Sequence, residues 1–244
     1  MLKILVIGET CVDKFIYCNT ERLSPEAPVP VLLPLKQIES PGMSGNVVRN
    51  ISTLNAKTKI THYHQDRKIT KTRYVEEKSN HMFFRVDENE YGPYDQFKFS
   101  DIKDKDFDIV IVSDYDKGYL SNRDITRLGN LGEISILDSK RRLTHDMIDG
   151  YTWVKLNKKE AETNSDITYL SRMLITLGAQ GVKYEDQIIP SPNPQETIDV
   201  SGAGDTFTAA FILKYHETKN ALDAIYFANE KAAIVVSKRG VATP

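Results

Sequence analysis

The chain has 244 residues, 32 of them basic and 34 acidic, for a net charge of −2, and 40% of its residues are hydrophobic. That length suits one domain with a sizeable core, and the near-neutral balance excludes a broad basic field for nucleic acid or an anionic membrane. No run approaches a membrane span. The opening MLKILVIG is too short for a signal peptide and lacks a small-residue cleavage site, so a cytoplasmic protein is expected.

KILVIG (3–8) is a short apolar run closed by glycine and reads as a buried parallel strand. CVDKFIYC (11–18) and VPVLLPL (29–35) read as further strands. Pro28, Pro30 and Pro34 suit an edge or a small separate sheet, because proline cannot donate to a ladder. Cys11 and Cys18 would face opposite sides of an extended strand, so no mutual disulfide is expected, and free thiols fit a reducing compartment. SGNVVRNISTLNA (44–56) is helical, with Val47, Val48, Ile51 and Leu54 on one side. His62 and His64 in HYH could pair on a metal, but no cysteine or acid lies at ligand spacing. TKTRYVEEKSNHMFFRVDE (70–88) is a two-stranded hairpin.

FDIVIVSD (107–114), EISILDSK (133–140) and YTWVKLN (151–157) are apolar strands that end in polar residues, with helical patterns between them. RMLITLGAQGVKYEDQIIP (172–190) is a strand, a glycine turn and a hairpin. Helices follow near 205–216 and 221–237, the second capped by Asn220. Strands alternating with helices predict a doubly wound α/β fold, with a mostly parallel sheet and helices on both faces. No repeat or linker divides residues 1–244. In such sheets a site forms beyond the carboxyl ends of the strands, where SDYDKG, LDSK, LNKKE, TLGAQG and SGAGD fall.

SGAGD is the most suggestive of these clusters. Asp205 opens a run in which Phe207, Ala210, Phe211 and Tyr215 share one helical face. Gly202, Ala203 and Gly204 would leave backbone N–H groups uncovered at a helix N-terminus, a natural anion site that would also hold an acid ionised. The plain alternative is a loop with aspartate as an N-cap.

The motifs, taken together, resemble the ribokinase-like (PfkB) carbohydrate kinases. DVSGAGDTF (199–207) resembles the C-terminal signature of that family and PGMSGNVVRN (41–50) the N-terminal one. NKKE (157–160) fits its N-x-x-E motif, and TLGAQG (176–181) its nucleotide-side turn. LSPEAPVPV (23–31), TKTR (70–73), FFRVD (83–87), SDYDKG (113–118) and the tail 227–243 resemble the heptose 7-phosphate kinases within it.

The resemblance implies a small β lid, from about 11–36 and 70–88, over a sugar. It also implies transfer of a phosphoryl group from ATP to a sugar hydroxyl, the anomeric one for the heptose members. On that basis Asp205 is the general base, a carboxylate of depressed basicity, and the amides of residues 202–204 stabilise the moving phosphoryl. Asn157 and Glu160 would order Mg²⁺ through water. Lys140, Thr176, Gly178, Gly181 and Asn229 would hold the nucleotide. Asp13, Gly42, Gly45 and Asn46 would hold the sugar, and Lys71, Arg73 and Arg85 its phosphate. Some members bind a monovalent cation beside the positions of Asp199 and Ser201. Each has a simpler reading: a polar helix start for N-x-x-E, a solvated strand-end lysine for Lys140, a hairpin turn for the glycines, a helix-surface residue for Asn229, and solvated cations on the hairpin. The prolines and exposed apolar residues of the lid suit pairing with a second copy.

Four features depart from the family pattern. Met43 and Ser44 interrupt the usual PGG, and Glu9 stands where aspartate is usual. THYH leads almost directly to TKTR, without the strand and helix that members carry there. The chain ends at Pro244, so the nucleotidyltransferase step of fused heptose kinases is not expected of it. A kinase of another sugar, or a degenerate kinase fold that binds without turnover, stays open.

Overall fold

The computed structural model describes residues 1–90, 95–104, 106–167, 171–192 and 199–244. In chain order its strands are β1 (Lys3–Gly8), β2 (Thr10–Leu23), β3 (Pro30–Met43), β4 (Lys59–Tyr63), β5 (Ile69–Glu76), β6 (Met82–Glu88), β7 (Phe107–Asp114), β8 (Gly132–Ser139), β9 (Trp153–Asn157), β10 (Met173–Thr176), β11 (Val182–Tyr184) and β12 (Gln187–Ile189). Its α-helices are α1 (Ser44–Leu54), α2 (Asn122–Leu128), α3 (His145–Ile148), α4 (Lys158–Thr163), α5 (Ala203–Thr218) and α6 (Ala221–Val236).

In β1, Ile4 and Val6 face one side and Leu5 and Ile7 the other, and all four are fully buried. A strand that is apolar on both faces needs layers on both. It lies inside a sheet of order β12-β11-β10-β9-β8-β7-β1-β4, in which β4, β1, β7, β8, β9 and β10 run parallel, β11 is antiparallel to β10 and β12 is antiparallel to β11. Val47 and Ile51 of α1, Phe207 and Phe211 of α5 and Ile225 of α6 cover one face. Ile125 and Leu128 of α2 and Met147 and Ile148 of α3 cover the other. Each such side chain contributes roughly 1.5–3 kcal/mol on burial. The doubly wound α/β fold read from the sequence is the fold observed.

Helix α5 departs from the expected single apolar face: every residue from Asp205 to Ile212 is buried. It packs against α1, α6 and β8, so its polar residues need internal partners. Thr206 Oγ1 donates to Asn50 Oδ1 at 3.0 Å and Thr208 Oγ1 to Asp138 Oδ2 at 3.0 Å. Asn220 caps α6 as expected, accepting from the Leu222 and Asp223 amides.

The second sheet, of order β3-β2-β5-β6, is built from the strands expected to form a lid. Pro30 and Pro34 lie on its edge strand β3. That strand runs past residue 36 to Met43, so Pro41 and Gly42 continue β3 and Met43 turns the chain directly into α1. Cys11, Asp13, Phe15 and Tyr17 alternate onto the buried face of β2. Both cysteines are free and buried.

Candidate active site

The start of α5 is shaped by Gly202, which caps it in the left-handed region at φ 82°. A Cβ there would lie 2.6 Å from Asn46 Nδ2, so a larger residue is excluded by both conformation and space. Ala203 N donates to Val200 O at 3.3 Å, so one of the three amides expected to face a phosphoryl group is already engaged. The Gly204 amide lies in the first helical turn, where no intrahelical acceptor exists. Thr197 and Ile198, just upstream, lie outside the described residues.

Asp205 is 6% exposed. Its Oδ2 accepts from Asn46 Nδ2 at 3.0 Å and its Oδ1 from Tyr115 Oη at 2.9 Å. Burial pushes its carboxyl up to about 6, the Asn46 donor opposes this, the Asp138 charge adds to it, and Lys155 and Tyr115 oppose it. The expectation of depressed basicity is therefore corrected. Loss of water outweighs the helix terminus and its donors. The group is still mostly ionised at neutral pH, and it is a stronger base than a solvated aspartate.

On one side of Asp205 a cleft of about 580 Å³ is lined by residues 202–205 together with Tyr115, Lys140, Lys155, Asn157, Thr176, Gly178, Gly181 and Asn229. All the residues expected on the nucleotide side thus meet in one space. Asn157 and Glu160 form a reciprocal capping box on α4, with Glu160 N donating to Asn157 Oδ1 at 2.9 Å and Asn157 N to Glu160 Oε2 at 2.7 Å. Lys140 Nζ donates to Glu160 Oε1 at 2.6 Å and lies 5.1 Å from the centre of the Tyr115 ring. Asn229 is buried rather than on a helix surface, and it donates to Ile189 O and Pro190 O at 3.3 Å, fixing the wall beyond β12.

No cluster of three or more metal-ligating His, Cys, Asp or Glu side chains occurs among the described residues. Both Glu160 oxygens already accept hydrogen bonds, which suits contact with a hydrated Mg²⁺ through water rather than direct ligation. Farther off, His62 Nε2 lies 2.9 Å from Ser44 Oγ, and burial and the neighbouring His64 lower its pKa to about 4.

The buried face of β2 carries Asp13. Asp13 Oδ1 accepts from Arg73 Nη1 at 2.5 Å. Gly42 backs this pair closely: a Cβ there would stand 2.0 Å from Asp13 Oδ2. Gly45 packs on Thr10 at the start of α1. Cys11 adjoins the same acid, and burial, then the Asp13 charge, then that of Asp205 raise its thiol pKa. Asn46 is turned to Asp205, where it orients the expected base.

Of the three cations expected to hold a phosphate, none is placed alone. Arg73 holds Asp13 and lies over the Phe15 ring. Lys71 Nζ lies 2.8 Å from Glu90 and 3.6 Å from Asp87. Arg85 Nη2 donates to Asp87 Oδ2 at 2.9 Å.

Three central residues, Tyr115, Lys155 and Asp138, were not singled out in the sequence, and Glu9 and Met43 were noted there only as departures from the family pattern. Tyr115 lies in the quoted SDYDKG. Lys155 and Asp138 form a pair: Lys155 Nζ donates to Asp138 Oδ2 at 2.8 Å, and both are nearly fully buried beneath Gly204. Burial alone would raise the Asp138 carboxyl, but Lys155 and Lys140 hold it below its ordinary value. Glu9 is fully buried and accepts from the amides of Tyr115, Lys117 and Tyr119 at 2.8, 3.1 and 3.2 Å. Met43 adopts φ 55°, a region that favours glycine, and packs with Cys11, Ile69 and Tyr115. The signal for all five was an acid, a lysine or a bulky residue at a strand end; their partners are remote in sequence.

A cleft with basic walls, ending at a helix N-terminus and a buried carboxylate, defines a phosphotransferase of the carbohydrate kinase class. The pfkB family carbohydrate kinase pattern matches residues 55–244, and the chain belongs to that family. The chain is 29% identical to the bifunctional protein HldE of Caulobacter sp. (strain K31) over 294 positions, covering 97% of the chain and 60% of that protein. It is 30% identical to the bifunctional protein HldE of Helicobacter pylori (strain J99) over 297 positions, covering 99% of the chain and 64% of that protein. It therefore spans less than two thirds of these relatives. The aligned 297 positions also exceed the 244 residues of this chain, so the relative carries segments that this chain lacks. In fold, it superposes on Arabidopsis thaliana ribokinase complexed with ribose and ATP with a TM-score of 0.71 at 13% identity, covering 99% of this chain and 95% of that one. No described helix is long and apolar enough to cross a membrane.

Proposed function

We propose that the protein transfers the γ-phosphoryl group of ATP to the anomeric hydroxyl of heptose 7-phosphate, giving heptose 1,7-bisphosphate, in the cytoplasm. The observation that carries this reading is the position of Asp205, which lines the nucleotide-side cleft and lies near enough to Cys11, the neighbour of Asp13, for its charge to raise that thiol's pKa. The HldE relatives support a heptose over other sugars.

In this reading the sugar lies between Asp13, Gly42, Gly45 and the start of α5. Asp205 takes the proton of the attacking hydroxyl, and the Gly202 and Gly204 amides face the charge that builds on the transferred group. Lys140 and Lys155 add positive charge along the phosphates. Asn157 and Glu160 hold Mg²⁺ through its waters, and the metal, when bound, neutralises phosphate charge. Arg85, the most exposed of the three lid cations, meets the 7-phosphate by exchanging Asp87 for it, with Lys71 and Arg73 behind. Asp199 and Ser201, whose amide donates to Asp199 Oδ1 at 2.9 Å, would flank a monovalent cation. The edge strands β3 and β6 leave Leu33, Leu35, Ile38, Met82, Phe84 and Val86 between 42% and 60% exposed, and a second copy of the chain covers them.

The test is ADP release by the purified protein with Mg·ATP and a panel of sugar phosphates, with and without K⁺, beside Asp205→Asn. Turnover on heptose 7-phosphate that is lost in the variant is the expected result. Turnover on another sugar alone removes the heptose assignment. Binding of ATP with no turnover on any sugar overturns the kinase reading in favour of a binding-only fold.

A further inference from the structure

Both oxygens of Asp205 already hold a donor. Asn46 Nδ2 takes Oδ2, and the Tyr115 phenol takes Oδ1. Each oxygen keeps a second lone pair, so an acceptor hydroxyl can reach Asp205 beside these donors or in place of one of them.

The two donors differ in how firmly they are fixed. Asn46 is tied into α1 and α5: Asn50 Nδ2 donates to Asn46 Oδ1 at 3.1 Å, and Thr206 Oγ1 donates to Asn50 Oδ1 at 3.0 Å. Tyr115 stands on the loop after β7, its main chain held by Glu9 and its ring lining the cleft. Its hydroxyl is an O–H donor, as a sugar hydroxyl is, and rotation about the side-chain bonds withdraws it without disturbing the Glu9 anchor. The other charged or titratable groups around Asp205 are Cys11 on β2, Asp138 on β8, Lys140 just beyond it and Lys155 on β9.

We propose that Tyr115 is a reversible cap on Asp205, whose phenol fills the acceptor-hydroxyl position until a sugar displaces it and so keeps water from serving as the phosphoryl acceptor. This rests on Asp205 being the base in the reading above. In the reaction that the cap suppresses, a water oxygen bonds to the γ-phosphorus as its bond to the bridging oxygen breaks. ADP leaves with that electron pair, and the water proton passes to Asp205.

Tyr115→Phe removes the donor and keeps the ring. ADP release from Mg·ATP without sugar is measured for the wild type, Tyr115→Phe, Asp205→Asn and the double variant. Loss of a hydrogen bond to a charged group predicts about a tenfold or greater rise for Tyr115→Phe. The rise is expected to vanish in the double variant. An unchanged sugar-independent rate in folded Tyr115→Phe overturns the proposal, as does a rise that survives Asp205→Asn. If circular dichroism shows that Tyr115→Phe does not fold, Glu9→Gln, which loosens the loop, decides by the same readout. A wild type that phosphorylates no sugar, beside a Tyr115→Phe that hydrolyses ATP through Asp205, overturns the sugar reading and leaves the cap standing. The reverse pattern overturns the cap alone.

Discussion

Asp205→Asn separates what the carboxylate costs the fold from what it does in the reaction. Burial lifts this group from 3.8 to about 6. At about 1.4 kcal/mol per pH unit, the ionised form destabilises the folded state by about 3 kcal/mol. The folded pKa lies above the unfolded one. Below the unfolded value both states are protonated and the cost vanishes. It grows as pH rises between the two values and is complete above the folded one. The amide of the variant does not ionise. It offers one oxygen to Asn46, and the Tyr115 hydroxyl can turn to accept from its NH₂. Allowing about 1 kcal/mol for imperfect pairing, the variant should be more stable than the wild type by about 2 kcal/mol at pH 8 and nearly equal to it at pH 4. Urea unfolding at several pH values, with the slope m unchanged, reads this difference. ADP release in the presence of sugar should meanwhile be lost. Equal destabilisation at both pH values, or a gain largest in acid, would refute the burial argument.

Three further outcomes follow from single contacts. Gly42→Ala places a Cβ against the Asp13 carboxylate and the Cys11 sulfur, so the sugar KM should rise at least about tenfold with the ATP KM unchanged, as steady-state kinetics would read. Lys155→Met strands the buried Asp138 and should cost about 3 kcal/mol in urea unfolding; it should also raise the Asp205 titration midpoint, followed by carboxyl ¹³C NMR, because Lys155 is one of the groups lowering it. Phe84→Glu places a charge among the exposed apolar residues of β6 and should convert a dimer into a monomer in light scattering; a wild type that is monomeric at high concentration counts against the lid interface.

The elements were legible where one strand or helix reports its own burial. Ile4, Val6, Leu5 and Ile7 form an unbroken apolar run because both faces of β1 are covered, and such a run recurs in β7 from Ile109 to Val112. N-x-x-E was legible as the polar helix start it forms, since a capping box needs those residues. The pairing of the lid cations was not, because Asp87 and Glu90 reach Lys71 only after β6 folds back on β5. The raised basicity of Asp205 was hidden for a similar reason: the N-terminus of α5 is visible in Gly-Ala-Gly, whereas the packing of α1, α6 and β8 that removes water from it is not. Glu9 shows how a departure from a pattern can itself be the informative residue. Glutamate extends its carboxylate one methylene farther than the aspartate usual there, and that carboxylate gathers three amides of the loop carrying Tyr115, a segment more than 100 residues away in the chain. The substitution that looked like erosion of the first loop thus positions the side chain that meets Asp205.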